Sequence, residues 1–306
     1  KSSMFLHLKS HVSPMDIDAL ECLPNKTPAC RKFLVKALEW IRDGSRIGAV
    51  KVSPKKNRFS KKHFAEMLGY KYKPVVGVPE GYVDAFVRAE ATKENPKHPT
   101  GYRLRPLFAP DANQGGANRG QLQEMSMQTK GEIREQGSEE PELVIQFDME
   151  SYYDQFGLAE SVKRKMFFKG PDGVTYALER LPMGLRPACE VAQATTWFLL
   201  DFQMAEGVKV ATCIDNVRIL GPKDGVVQAV RQFLARCRAV GAQLDRWPKS
   251  DSEEDIVAMG ERSGDFLGEH YNYDTNKRSL TDAQPELKMT ARQLSVMMGL
   301  FFWMIS

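Results

Sequence analysis

Two short apolar runs, each ending in a carboxylate, dominate the hydrophobic pattern of the chain. Leu143, Val144, Ile145 and Phe147 form a run of strand length that delivers Asp148 ahead of the aromatic cluster Tyr152, Tyr153 and Phe156. From Val208 to Leu220, apolar or small residues lead to Asp215 and Asn216 and a β-prone stretch leaves again, which predicts a hairpin with an acidic tip. Helical spacing marks Phe33, Leu34, Ala37, Leu38 and Ile41, started by Thr27-Pro28 and stopped by Gly44. It recurs over Ser60–Gly69, Cys189–Ala205 and Asp224–Val240, the last through Val227, Val230, Phe233, Leu234 and Cys237. Alternation at Tyr82, Ala85, Val87 and Ala89, a proline-bearing loop over Lys93–Gly101 and a return over Tyr102–Phe108 predict a second hairpin. Asp111–Gly120 reads as loop and Gln121–Gln136 as helix by composition. This order predicts an α+β fold, a mostly antiparallel sheet backed on one face by helices.

A strand-end Asp alone is weak evidence, because the same residue also forms turns and caps helices. Two strand-borne carboxylates at one end of a sheet are more telling. They repel unless a divalent cation lies between them, and Mg²⁺ held by one or two carboxylates plus substrate phosphates is the usual polymerase arrangement.

Composition narrows the setting. The chain has 306 residues, 42% of them hydrophobic, enough for one large or two ordinary domains. Its net charge of +4 is uneven: residues 1–75 hold 16 Lys or Arg against 6 Asp or Glu. A basic front fits a polyanionic partner and equally a merely solvated basic surface. Cys22, Cys30, Cys189, Cys213 and Cys237 include no C-x-x-C pair, so neither a zinc site nor a disulfide framework is indicated, and a reducing, intracellular compartment is expected. The apolar stretch Val296–Ile305 is too short to span a membrane. Its position at the end of the sequence suggests a fragment of a longer polyprotein.

The residues around these carboxylates carry a family resemblance. Asp148-Met-Glu-Ser-Tyr-Tyr-Asp-Gln-Phe156 resembles the first catalytic motif of retroelement reverse transcriptases, D-L-K-S-A-Y-H-Q-I, and Lys165–Gly173 resembles the K-T-A-F-x-T-x-D-G hairpin of gypsy-like elements. Leu181-Pro-Met-Gly-Leu-Arg-Pro-Ala-Cys-Glu-Val-Ala-Gln193 is similar to L-P-F-G-L-x-x-A-P-x-x-F-Q, and Cys213–Ile219 stands where the family has Y-x-D-D-V-x-I. Gly241–Ser250 resembles G-x-x-L-N-x-x-K-S, Phe266-Leu267-Gly268 the primer-gripping strand, and Arg292–Trp303 the start of the thumb. The matches are collinear over roughly residues 101 to 303. In style they are nearest gypsy-like and tyrosine-recombinase elements of the DIRS and VIPER kind.

The resemblance implies a right-hand polymerase with fingers and palm. Residues 1–80 would be a basic, mainly helical N-terminal extension packed on the fingers, and 81–140 the fingers. The palm would span 141–270, with a fingers hairpin near 158–180, and 271–306 would begin the thumb. Asp148, Asp215 and Asn216 would be the catalytic positions, with two Mg²⁺ or Mn²⁺ ions on Asp148, Asp215 and the carbonyl of Met149. Arg103, Arg105, Tyr153, Met183, Gly184, Gln193 and Lys249 would line the nucleotide. In the family's place Tyr153 floors the sugar, although a core role fits it too. Gly184 would let the backbone approach the base, and Lys249 would reach the pyrophosphate as a point charge. Expected partners are an RNA template, a DNA or RNA primer and deoxynucleoside triphosphates, with no membrane.

Two departures matter. Asn216 replaces the family's second Asp, losing a unit of charge while keeping a carbonyl oxygen, and Cys213 replaces its Tyr. A catalytically impaired or inactive reverse-transcriptase-like scaffold that binds RNA is therefore a second reading beside an RNA-directed DNA polymerase. A DNA-binding helix-turn-helix over residues 28–69 is a third.

Overall fold

The computed structural model describes residues 12–47, 59, 61–94, 102–114, 128–137 and 140–280. Helices α1 (Ile17–Cys22), α2 (Pro28–Arg42) and α3 (Lys61–Met67) precede strand β1 (Tyr72–Pro74) and a long hairpin of β2 (Val83–Glu94) and β3 (Tyr102–Pro110). Helix α4 (Lys130–Gly137) leads to β4 (Leu143–Asp148), the short α5 (Glu160–Lys163), the hairpin β5 (Phe167–Lys169) and β6 (Thr175–Leu178), and α6 (Ala188–Leu199). Then come the hairpin β7 (Lys209–Cys213) and β8 (Asn216–Gly221), α7 (Lys223–Val240), α8 (Glu253–Val257) and strands β9 (Ser263–Phe266), β10 (Glu269–Asn272) and β11 (Lys277–Leu280). Antiparallel sheets with helices give the expected α+β class. The predicted helix over 121–136 survives as α4, and residues 115–127 and the thumb-like 292–303 lie outside the described residues.

The central sheet has strand order β4-β8-β7, antiparallel throughout. Because side chains alternate along a strand, Leu143, Ile145 and Phe147 of β4 share one face with Val217 and Ile219 of β8. All are buried in the main core with α6 and α7, where the Phe147 and Phe233 rings lie 5.4 Å apart. The opposite face carries Val144, Ala211 and Leu220, buried against Ile133 of α4 and Phe266, Tyr271 and Tyr273 of the β9–β11 layer. Helices on one face only was therefore an incomplete expectation. The unbroken apolar run Leu143–Ile145 is what a strand buried on both faces requires.

The stretch expected as one basic extension, 1–80, divides between two neighbours. Helix α2 packs chiefly on α6: its Phe33 and Ala37 lie against Ala194 and Trp197, and the Arg31 guanidinium lies 5.2 Å from the Phe198 ring centre, while its C-terminal end meets α5 where the Ala159 N–H donates to the Ile41 carbonyl at 2.9 Å. Asp201, just past α6, caps α2 from outside, accepting from the Thr27 main-chain N–H at 2.8 Å and its hydroxyl at 2.7 Å. With Leu34, Leu38 and Ile41 buried as well, the apolar face of α2 belongs to the main core rather than to a helix-turn-helix. Helix α3 and β1 instead join the β5–β6 hairpin. Strand β1 pairs with β6 in a β1-β6-β5 sheet, and Phe64, Tyr72, Phe108, Phe168 and Tyr176 form an aromatic cluster with ring centres 4.9 to 6.5 Å apart.

Helix α6 stops at Leu199 although its apolar spacing continues to Ala205. The buried Arg236 of α7 supports the stop, donating to the carbonyls of Phe198 (2.6 Å), which also accepts from the Asp201 N–H at 3.2 Å, and of Leu199 (2.9 Å) at the helix end. Helix α7 ends as read from sequence, with Gly241 in the left-handed region at φ 71° and the Ala242 N–H returning to the Cys237 carbonyl at 2.9 Å.

Candidate active site

The register of the central sheet sets Asp148 opposite Asn216, and Asn216 opposite Cys213 across the β7–β8 hairpin. Only Ile214 and Asp215 form the tip, so three positions singled out in the sequence meet at one end of the sheet. The Met149 N–H donates to the Asp215 carbonyl at 2.9 Å and locks the two strand ends together. The Asn216 amide donates to the Asp215 carboxylate at 3.0 Å. Ile214 sits at φ 57°, a conformation rare for a β-branched residue, so the tip stores strain that its surroundings must hold.

Those surroundings are a buried polar frame on α6. The Gln193 side-chain oxygen accepts from the Ile214 N–H at 2.5 Å, and its amide donates to the Thr212 hydroxyl at 2.7 Å. The Thr196 hydroxyl donates to the Ile214 carbonyl at 2.6 Å and also lies 2.8 Å from the Tyr152 hydroxyl. Gln193, expected at the nucleotide, thus lies buried behind the tip and supports it from beneath.

Tyr152 is the core tyrosine, while Tyr153 is half-buried with its hydroxyl 3.2 Å from the Cys189 sulfur. Burial, then Cys189 and the nearby Asp215 and Cys213, push the Tyr153 phenol far above its usual range, so the hydroxyl stays neutral. Burial and then Asp215 push the Cys213 thiol up to about 11. Iodoacetamide at pH 8 should therefore label exposed Cys22 well before Cys213, because the thiolate is the reactive form. Mass spectrometry showing comparable rates would contradict this placement of Cys213.

A second strand-like segment braces the first motif. The Asp245 N–H donates to the Asp148 carbonyl at 2.8 Å and the Glu150 N–H to the Gln243 carbonyl at 3.0 Å. Buried Gln155 closes the frame: its amide donates to the carbonyls of Glu150 (2.6 Å) and Gln243 (2.9 Å), and its oxygen accepts from the Gln243 N–H at 2.8 Å. Gln155 matches the family motif, but a motif position does not disclose a bracing role.

Gly184 is held against β3. A Cβ added there would sit 2.0 Å from the Phe108 carbonyl oxygen of β3. Asn113 spans the same junction, donating to the Gly184 carbonyl at 2.6 Å and accepting from the Arg186 N–H at 3.1 Å. The backbone that glycine admits here is strand β3. Asn113 had no sequence signal beyond its place in a Gly- and Asn-rich loop.

Met183 and Lys249 are exposed. Arg103 and Arg105 share one face of β3 by the strand period, opposite Glu90 and Arg88 of β2, and their side chains lie outside the described residues. Phe266 is buried, and Leu267 (φ 50°) with Gly268 (φ 82°) makes the two-residue turn into β10, the pattern of a tight primed hairpin.

Among the described residues no group of three His, Cys, Asp or Glu side chains is arranged to hold a metal ion. The donors at the sheet end are the carboxylates of Asp148 and Asp215, the amide oxygen of Asn216 and main-chain carbonyls. That oxygen-only set suits a hard cation such as Mg²⁺ if a substrate supplies further ligands. No helix among the described residues is long and apolar enough to cross a membrane.

The fold so described is reverse-transcriptase-like. The foamy viral protease–reverse transcriptase solved in complex with double-stranded DNA superposes with a TM-score of 0.54 at 12% identity, over 95% of this chain and 53% of that one. The native prototype foamy virus protease–reverse transcriptase gives a TM-score of 0.48 at 13% identity, over 84% of this chain and 32% of that one. The chain thus spans about half the length of the first of these structures or less. No family model and no curated protein sequence matches it.

Proposed function

We propose that the chain is the fingers and palm of a retroelement reverse transcriptase of gypsy-like or DIRS- and VIPER-like descent. It would extend a DNA or RNA primer along an RNA template with deoxynucleoside triphosphates. The observation that carries this reading is the placement of Asp148 beside Asp215 and opposite Asn216, at the end of the central sheet and next to Tyr153.

Two Mg²⁺ or Mn²⁺ ions held by Asp148, Asp215 and the Met149 carbonyl would supply the charge neutralisation that in-line nucleotidyl transfer needs on its attacking and leaving oxygens. The protein's own part is positional. Arg103 and Arg105 would take the triphosphate, Lys249 the departing pyrophosphate, Met183 the base, and Phe266-Leu267-Gly268 the primer strand. The proposed setting is an intracellular, reducing compartment. Primer extension on poly(rA)/oligo(dT) with Mg²⁺ or Mn²⁺ tests the reading, and absence of any extension with either ion would overturn it.

The Tyr153 ring would exclude a ribose 2′-hydroxyl. Tyr153→Ala should raise ribonucleotide relative to deoxyribonucleotide incorporation by about tenfold, since overpacking costs of about 1 to 3 kcal/mol are typical. Unaltered sugar discrimination in an active variant would remove Tyr153 from this role.

A second reading, an RNA-binding scaffold without turnover, is favoured by one specific feature: Asn216 leaves two carboxylates at the tip where the resemblance expects three.

A further inference from the structure

Arg218 is a fully buried guanidinium, 0% exposed, placed in the sheet row immediately behind the candidate active site. By strand alternation Arg218 shares a face of β8 with Asn216, and its partners across the sheet, Gln146 and Ala211, lie one row behind Asp148 and Cys213. A cation there is costly to bury unless it is compensated. Among the described residues no carboxylate forms an ion pair with it; its Nε and Nη1 make no hydrogen bond of good geometry, and the hydroxyls of Tyr271 and Tyr273 lie within its electrostatic reach.

Two aromatic faces and a carbonyl take that place. The guanidinium carbon lies 4.7 Å from the Phe266 ring centre and 4.7 Å from that of Tyr271. Its Nη2 donates to the Ile133 carbonyl of α4 at 2.7 Å. Phe266 and Tyr271 flank the Leu267-Gly268 turn on adjacent strands, and Tyr271 donates to Glu269 at 3.1 Å, which in turn accepts from Arg134 of α4 at 2.7 Å. One side chain of the catalytic strand thus joins the β9–β10 hairpin and α4 to the sheet. It does so through contacts that depend on direction, where an aliphatic residue would offer only area.

We infer that Arg218 is a positioning residue that fixes the Phe266-Leu267-Gly268 turn against the sheet one row behind its Asp148–Asn216 end, and so sets where a primer 3′ end lies. The inference rests on the polymerase reading. Its consequence is selective, because a displaced turn weakens the grip on a recessed primer end and leaves the single-stranded template path and the nucleotide site in place.

The test compares the full chain with Arg218→Met, which keeps length and apolar bulk, and with Tyr271→Leu, which removes one ring and leaves the guanidinium. Fluorescence anisotropy reads affinity for a recessed RNA/DNA primer–template and for single-stranded RNA, and steady-state extension reads primer KM, nucleotide KM and kcat. The expected result is about tenfold weaker binding of the recessed duplex in both variants, with a matching rise in primer KM. Single-strand affinity and nucleotide KM stay within about twofold. Equal losses on duplex and single strand, a lowered Tm with unchanged duplex affinity, or failure of both variants to fold would each assign Arg218 to stability alone and overturn the inference. Failure of the unaltered chain to bind a primer–template would overturn the polymerase reading and this inference together, an outcome distinct from the first three.

Discussion

Asp148→Ala is expected to abolish primer extension while leaving template affinity intact, and Asn216→Asp to increase it at the cost of metal-free stability. Asp148 ends β4 directly opposite Asn216, and the Asn216 amide donates to the Asp215 carboxylate at 3.0 Å. A carboxylate at 216 cannot donate that bond and faces Asp148 across the strands with like charge. Repulsion between directly opposed side chains costs about 0.2 to 1 kcal/mol. Losing the bond to a charged acceptor adds about 1.5 kcal/mol more, the low end for a part-exposed pair. Asn216→Asp should therefore melt lower in EDTA, by roughly 3 to 10 °C for a domain of this size. Divalent ions that bind the folded state reverse the loss by linkage, so Mg²⁺ should restore more Tm to the variant than to the unaltered chain. The same added ligand should raise turnover and lower the Mg²⁺ concentration needed for it. If Asn216→Asp neither gains Tm from Mg²⁺ nor gains turnover, and Asp148→Ala matches it in every assay, the scaffold reading replaces the polymerase reading.

The sequence disclosed positions better than partners. Asp148, Asp215 and Asn216 were legible as neighbours because a strand and a two-residue hairpin leave little freedom in register, and the structure places them at one sheet end. Helix α7 was legible because both of its signals, apolar spacing and a closing glycine, are local. What sequence could not disclose depends on contacts made far along the chain. The end of α6 is supported by Arg236 and the start of α2 by Asp201, each acting across the fold. Gln193 was read from its motif as a nucleotide contact, and only the register of α6 against the hairpin turns it towards Ile214. Arg218 reads as an ordinary polar residue in a strand. Its burial follows from the β9–β11 layer covering a sheet face that the expected architecture left open.

Gly184→Ala is expected to destabilise the fold strongly, and to lower nucleotide affinity with it. The would-be Cβ lies 2.0 Å from the Phe108 carbonyl oxygen and 3.0 Å from its carbon, both main-chain atoms of β3. A flexible side chain could swing aside, but a strand carbonyl cannot move without its neighbours, and Phe108 is buried among Phe59, Tyr72 and Phe168. Relief must come from parting β3 and the Pro182–Arg186 turn, which Asn113 holds together through hydrogen bonds of 2.6 and 3.1 Å. Overpacking typically costs about 1 to 3 kcal/mol, and loss of the Asn113 bonds adds about 0.5 to 1.5 kcal/mol each. Tm should therefore fall by several degrees, by differential scanning calorimetry. Because the same opening separates β3, which carries Arg105, from Met183, nucleotide KM should rise while duplex affinity holds. Asn113→Ala, which removes the bonds without adding bulk, should show a smaller fall in Tm with the same direction in KM. A Gly184→Ala variant as stable as the unaltered chain would mean that β3 and the turn are not in contact as described.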